Sequence, residues 1–256
     1  MSLFNDNLKN INIKNLVIFI IVSYVVLFIL GRLSFPINEK WLYVAICFYF
    51  IFKLRDSLFD LKNECSNIFS KIRPKYILLI VFSNIFFSYG MLYLTGALVE
   101  YFPVLNFLVG FYIPSMSLTG SLPFIGVFVS TLIISPISEE LVFRGVLLSR
   151  LRHFVPTTFA IIITSLLFGS LHSFGGIISA VVFGICMAIL YLKTDNICVP
   201  IFAHFLNNLF AEIIRFSDFN NLLFTNVYVM AIVSIIAIVS AIIIFVSILK
   251  EWNKIK

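Results

Sequence analysis

Residues 124–144 read FIGVFVSTLIISPISEELVFR. The run from Phe124 to Ile134 carries no charge, and Glu139, Glu140 and Arg144 then follow within six residues. A charged side chain at the centre of a membrane helix costs roughly 2.5–3.5 kcal/mol on insertion scales. Three of them in one apolar segment are expected to have a use, and the segment itself has the length and composition of a membrane span, which needs about 20 apolar residues.

The rest of the chain agrees. Of its 256 residues, 61% are hydrophobic and only 12% charged, with a mean hydropathy of +1.08. A soluble domain of this composition would leave large apolar patches in water. The expected architecture is all-α: a polytopic membrane helical bundle of about eight transmembrane helices, forming a single integral membrane domain over 1–256. Candidate spans fall at 15–31, 37–53, 76–98, 124–145, 156–172, 175–192, 197–215 and 227–249. The second is the weakest, being short and flanked by Glu39, Lys40 and Lys53. Helices are expected because a lipid-exposed backbone must satisfy its own hydrogen bonds.

With the N-terminus inside and eight spans, the Lys and Arg residues divide unevenly. Of the 18, all but Arg32, Lys40 and Arg215 fall on the inner side. That asymmetry predicts cytoplasmic N- and C-termini, and it accounts for the net charge of +6 without a nucleic-acid partner. The N-terminal apolar run lacks a small-residue cleavage site and reads as a retained span, not a signal peptide. The inner loop 54–75 reads as a solvated or interfacial helical segment, and the aromatic-rich connection 99–123 as lying at the interface. Cys47, Cys65, Cys186 and Cys198 make no CxxC pair and no zinc motif, and no structural disulfide is expected among them. Abundant Phe, Ile, Lys and Asn suggest an A/T-rich, bacterial genome and hence the plasma membrane.

Three polar clusters lie inside the spans. In the first, Glu140 and Arg144 are four apart on a helix with the acid N-terminal, the favourable order for an ion pair. Glu139 points about 100° away and is left free; an ion-paired helix end is the alternative. Just before lies Ser135-Pro136-Ile137-Ser138, where Pro136 predicts either a kink or a helix restart capped by Ser135 or Ser138. A restart would put Glu139 in a first turn, which favours a carboxylate. The second cluster is Phe168-Gly169-Ser170-Leu171-His172, in which Gly169 permits close helix approach and Gly175 and Gly176 make a turn. The third is His204-xxx-Asn208, two residues on one helix face, with Asn207 pointing elsewhere. Each alone reads more readily as structural: His172 as a hydrogen-bonded core residue, His204 and Asn208 as a polar helix–helix contact. His153, between Arg152 and Phe154, suits a headgroup or solvent contact, and Glu212 with Arg215 suits an ion pair at a span end.

Taken in order, Glu139-Glu140-xxx-Arg144, Phe168-xxx-His172 and His204-xxx-Asn208 resemble the CAAX-protease and bacteriocin-processing (CPBP, also Abi) family of intramembrane proteases, which includes the Ras-converting CAAX endopeptidases. The resemblance covers about 124–215, the expected catalytic core, and places its residues on the fourth, fifth and seventh spans. It implies hydrolysis of a peptide bond in a membrane-associated peptide or protein, bacteriocin- or pheromone-leader-like or CAAX-like, with Glu139 as the catalytic glutamate. On this reading Glu139 and His172 activate water, His204 and Asn208 stabilise the oxyanion, Glu140 and Arg144 orient the motif helix, and Phe168 packs beside His172. The family is commonly labelled a metalloprotease, and Glu139, His172 and His204 would make a His₂Glu zinc set. Yet there is no HExxH and Asn is a poor zinc ligand, so direct glutamate–histidine activation is preferred. The competing reading is a non-catalytic immunity or scaffold protein that binds a peptide or sensor kinase. A transporter is disfavoured because no inverted repeat is visible.

One geometric tension arises. At 1.5 Å per residue, straight spans put His204 about 10 Å from the inner face and His172 about 24 Å from it. Tilt, a break at Pro136 or a buried turn at 173–176 is needed to bring them together around an internal polar cavity, expected to open to the cytoplasm.

Overall fold

The computed structural model describes residues 3–35, 40–102 and 124–255, and every regular element among them is helical. In chain order these are α1 (Leu3–Lys9), α2 (Ile13–Arg32), α3 (Lys40–Leu54), α4 (Leu58–Ser66), α5 (Pro74–Tyr101), α6 (124–151), α7 (Thr157–Ser170), α8 (Ile177–Thr194), α9 (Cys198–Ser217), α10 (Leu222–Thr225) and α11 (Val227–Ile255). Each of the eight expected spans coincides with one of them, and the fold is an all-α, polytopic membrane bundle. Among the described residues, Ile13–Arg32, Pro74–Tyr101, Ile177–Thr194 and Val227–Trp252 are long and apolar enough to cross a membrane. The others are shorter or more polar; Thr157–Ser170, at 14 residues, extends only about 21 Å. The connection 54–75 holds the expected helical segment, α4, whereas the expectation for 99–123 lies outside the described residues from 103 onward.

Two features of the helix chemistry position the site. The first is α6, one continuous helix that alternates its winding. It is α-helical over Phe124–Val129, π-helical over Ser130–Ile134, α-helical over Ser135–Glu140, π-helical over Leu141–Leu148 and α-helical again over Ser149–Leu151. The restart anticipated at Pro136 does not occur. Ile134 has helical torsions and no side chain caps it. Proline lacks an N–H, and its ring crowds the carbonyl four residues earlier. A π-turn just before it, with its wider i→i+5 bonding, makes room for that ring without ending the helix. Glu139 is therefore a mid-helix residue, and its position owes nothing to a helix N-terminus. The two serines serve other partners: Ser138 Oγ–H donates to the Ser135 carbonyl at 2.9 Å, and Ser135 Oγ–H donates to Glu139.

The second is close helix approach through glycine. A Cβ on Gly169 of α7 would sit 2.3 Å from Val181 Cγ2 and 3.1 Å from the Ile177 carbonyl of α8. A Cβ on Gly184 of α8 would meet Ser165 Cβ at 3.0 Å. The α7–α8 pair thus packs backbone to backbone, as small residues allow in membrane interfaces. Gly90 does the same for α5 against α11, where an added Cβ would fall 2.6 Å from Ala237 Cβ.

The α8–α9 turn bears on the depth problem posed by His172 and His204. The turn between α8 and α9 does not lie at the surface. Thr194, Asn196, Ile197 and Cys198 are all buried, because α1 and α4 fold across the turn. Asp195 takes hydrogen bonds from Lys9 Nζ at 2.5 Å and from Asn5 Nδ2 at 3.0 Å. Asn196 Nδ2 donates to the Glu64 carbonyl at 2.7 Å, and Lys71 Nζ to that of Thr194 at 2.9 Å. The start of α9 is thereby recessed into the bundle, which carries His204 inward. All four cysteines are free, and the Cys65 and Cys198 thiols lie 2.8 Å apart where α4 meets the start of α9.

Candidate active site

The two glutamates occupy different environments, although they are neighbours in sequence. Glu140 is wholly buried. Its Oε1 accepts from Arg144 Nη1 at 3.0 Å and from His204 Nδ1 at 2.9 Å. Arg144, 2% exposed, spends its second nitrogen on the Gly184 carbonyl at 3.1 Å and lies over the Phe168 ring at 4.5 Å. A buried ion pair offsets its desolvation only when further hydrogen bonds satisfy both partners; α8 and the Phe168 face serve Arg144 and α9 serves Glu140 Oε1, while Glu140 Oε2 is buried with no partner among the described residues. The expected Glu140–Arg144 pair is present, with His204 as a third member that sequence spacing does not reveal.

Glu139 is free of the arginine. Its Oε1 accepts from Ser135 Oγ–H, and its Oε2 faces His204 Nε2 at 3.9 Å, too far for a direct hydrogen bond. That separation leaves Oε2 available to a third party between carboxylate and imidazole.

The histidine tautomers follow from their partners. An ionised carboxylate accepts only, so His204 carries a proton on Nδ1 and directs Nε2 toward Glu139. His172 sits just past the end of α7, its Nδ1 3.1 Å from the Phe168 carbonyl. A carbonyl also only accepts, so Nδ1 is protonated and the neutral ring has its lone pair on Nε2. Phe168 is the element between the two imidazoles. Its ring centroid lies 4.9 Å from that of His172 and 6.0 Å from that of His204. Phe143 and Phe183 close the same aromatic cluster at 5.3 and 6.3 Å from Phe168.

Asn208 is set one turn beyond His204 on α9. Its Nδ2 donates to the Thr131 carbonyl at 2.9 Å, in the first π-helical section of α6. Asn207, expected to point elsewhere, joins it: Asn207 Nδ2 donates to Asn208 Oδ1 at 3.4 Å and its Oδ1 accepts from Asn84 Nδ2 of α5 at 3.1 Å. Ser135 was read only as a candidate helix cap, and Asn84 was not singled out in the sequence. The signal for Ser135 was its i,i+4 spacing to Glu139; Asn84, a lone amide in an apolar run, had none.

Among the described residues no three His, Cys, Asp or Glu side chains converge closely enough to hold a metal ion. Glu139 and His204 face each other, but His172 does not complete a three-ligand set with them. An apolar groove of about 320 Å³ adjoins the site, lined by Pro136, Ile137 and Leu141 of α6 and by Ile201 and Phe205 of α9 among others.

Comparison with known proteins bears on this same region. Residues 121–210 match the family model described as type II CAAX prenyl endopeptidase Rce1-like. A protein of Bacillus subtilis (strain 168) named "Putative membrane peptidase YdiL" is 35% identical over 92 residues. Those residues are 36% of this chain and 38% of that relative, so the chain covers well under half of its length. No solved structure matches the chain. The matched segment contains the two glutamates, both motif histidines and Asn208, so the likeness to type II CAAX prenyl endopeptidases lies in the part of the chain that carries the site.

Proposed function

We propose that the protein is an intramembrane endopeptidase of the plasma membrane, multi-pass, bacterial, with cytoplasmic termini, which hydrolyses a peptide bond in a membrane-associated peptide or protein. The observation that carries this reading is the arrangement around Glu139. A buried carboxylate with an uncommitted oxygen stands opposite one imidazole at 3.9 Å, and a second imidazole is held against the same phenylalanine ring.

Amide hydrolysis needs an activated water, a stabilised oxyanion and a proton for the leaving amine. Glu139, oriented by Ser135, takes the proton of the attacking water, with the Nε2 lone pair of His172 as the second acceptor, and that proton passes to the leaving amine nitrogen as the C–N bond breaks. Asn208 keeps one Nδ2–H on Thr131 and offers the other to the tetrahedral oxyanion; loss of one such donor costs about 2.7–4 kcal/mol of transition-state stabilisation in known cases. His204 supplies a second donor through Nε2 only as imidazolium, because its Nδ1–H is already given to Glu140. The Glu140–Arg144 pair holds α6 and α9 in register around these groups. The apolar groove beside Pro136 and Phe205 suits an apolar portion of the substrate.

The same reading assigns water activation to Glu139 and His172 without a metal. A zinc assay tests it: metal content of the purified protein, with cleavage followed after chelation. Stoichiometric zinc required for activity would contradict it. Proteolysis itself is tested by comparing the peptides of cells producing the wild-type protein with those of cells producing Glu139→Ala. Peptides present only in the former are expected; identical peptide sets would favour a binding role.

A further inference from the structure

Two polar side chains that the proposed mechanism leaves unused, Asn84 and Asn207, join Asn208 in one chain of side-chain amides. Asn84 Nδ2 donates to Asn207 Oδ1 at 3.1 Å, Asn207 Nδ2 to Asn208 Oδ1 at 3.4 Å, and Asn208 Nδ2 to the Thr131 carbonyl at 2.9 Å. Its direction is dictated by its end. A backbone carbonyl accepts only, so Asn208 must turn its NH₂ group toward Thr131 and its oxygen toward Asn207. Asn207 must then present its own NH₂ group to Asn208 and its oxygen to Asn84. The orientation of all three amides follows from one acceptor, and each donor polarises the next in the same sense.

The head of this chain is unusual. Asn84 is 5% exposed on α5, a helix whose apolar window has a mean hydropathy of 2.0. Its Oδ1 is buried and accepts from no described residue. A buried amide oxygen left without a donor carries a penalty, and an apolar residue at this position would avoid it. The NH₂ group, in contrast, donates to Asn207 Oδ1. What the position retains is a donor aimed at the residue behind Asn208.

We infer that Asn84 is a positioning residue for peptide-bond hydrolysis: through Asn207 it holds the Asn208 amide with one N–H on Thr131 and the other directed to the oxyanion. The inference rests on the proteolytic reading above. Without Asn84, Asn207 is free to turn its amide over and present oxygen to oxygen. Asn208 keeps its donor on Thr131 but loses the hydrogen bond to its oxygen that holds the amide plane, while the fold keeps its apolar packing.

The test uses the full-length protein. Peptides that depend on Glu139 are identified in cells, and an internally quenched peptide spanning one of those scissile bonds is then cleaved by purified protein in detergent. Asn84→Leu, close in shape and apolar, is expected to lower kcat about tenfold with KM and melting temperature unchanged, a fraction of the 10²–10³ that losing an oxyanion donor costs. In an Asn208→Ala background the same substitution is expected to have no further effect. Asn207→Leu cuts the chain at its middle link and gives the same loss of kcat, which keeps the test intact if Asn84→Leu lowers stability. Wild-type kcat in both leucine variants, or an undiminished loss in the Asn208→Ala background, would overturn the inference while leaving proteolysis in place. Absence of any Glu139-dependent peptide would overturn the proteolytic reading, and this inference with it.

Discussion

His204 Nδ1 lies 2.9 Å from Oε1 of Glu140, 64 residues away in the chain. The same oxygen accepts from Arg144 at 3.0 Å, so one buried carboxylate ties α9 to α6 and neutralises the guanidinium. The neighbouring Glu139 has no such duty and keeps an oxygen free toward His204 Nε2. Adjacent acids thus divide into a structural clamp and a candidate reactive group.

That division predicts unequal consequences of substitution. Glu140→Ala leaves Arg144, itself 2% exposed, as a buried cation without its carboxylate, and removing one partner of a buried pair costs about 3–5 kcal/mol. A marked fall in melting temperature of the detergent-solubilised protein is expected. An unchanged melting temperature would show that the Glu140–Arg144–His204 cluster does not hold the helices.

The α7–α8 contact makes a second prediction. Gly169→Ala drives its Cβ into Val181 Cγ2, 2.3 Å away, and overpacking of this kind costs about 1–3 kcal/mol. Since His172 follows at the end of α7, the variant is expected to lose both stability and cleavage. Val181→Ala removes the clashing methyl and should restore part of each in the double variant, measured by thermal unfolding and peptide cleavage together. Failure of that rescue would argue against the close packing.

A third prediction concerns the cover over the start of α9. With their Sγ atoms 2.8 Å apart, Cys65 and Cys198 are expected to join under copper–phenanthroline oxidation. The free-thiol count would drop by two, and Cys65→Ser would abolish the effect. Retention of all thiols under oxidation would mean that α4 does not lie over the α8–α9 turn.

What was legible in the sequence followed from local geometry. The Glu140–Arg144 pair, the contact of Phe168 with His172, the close approach at Gly169 and the Glu212–Arg215 pair at 2.6 Å all depend on residues a turn apart or on a missing side chain. The eight helical segments were legible because apolar runs are long and punctuated. What was not legible depends on partners distant in sequence. His204 binds Glu140, Asn84 binds Asn207, and Asp195 is held by Lys9 and Asn5; no spacing rule joins such pairs. Hydropathy placed the α8–α9 turn at the inner surface because it cannot register that α1 and α4 fold across it. The π-helical sections of α6 escaped for another reason. Serines flanking a proline read as helix caps, and only the structure shows a widened turn accommodating Pro136 and freeing Ser135 for Glu139.

The central claim is that Glu139 carries the chemistry while contributing little to the fold. It is tested most directly by Glu139→Gln in purified full-length protein, assayed side by side for cleavage of a Glu139-dependent peptide and for thermal unfolding. The account predicts cleavage lost by at least about 10²-fold, on the scale of general-base catalysis, with the melting temperature kept. Cleavage retained at the wild-type rate by a folded Glu139→Gln protein would contradict it.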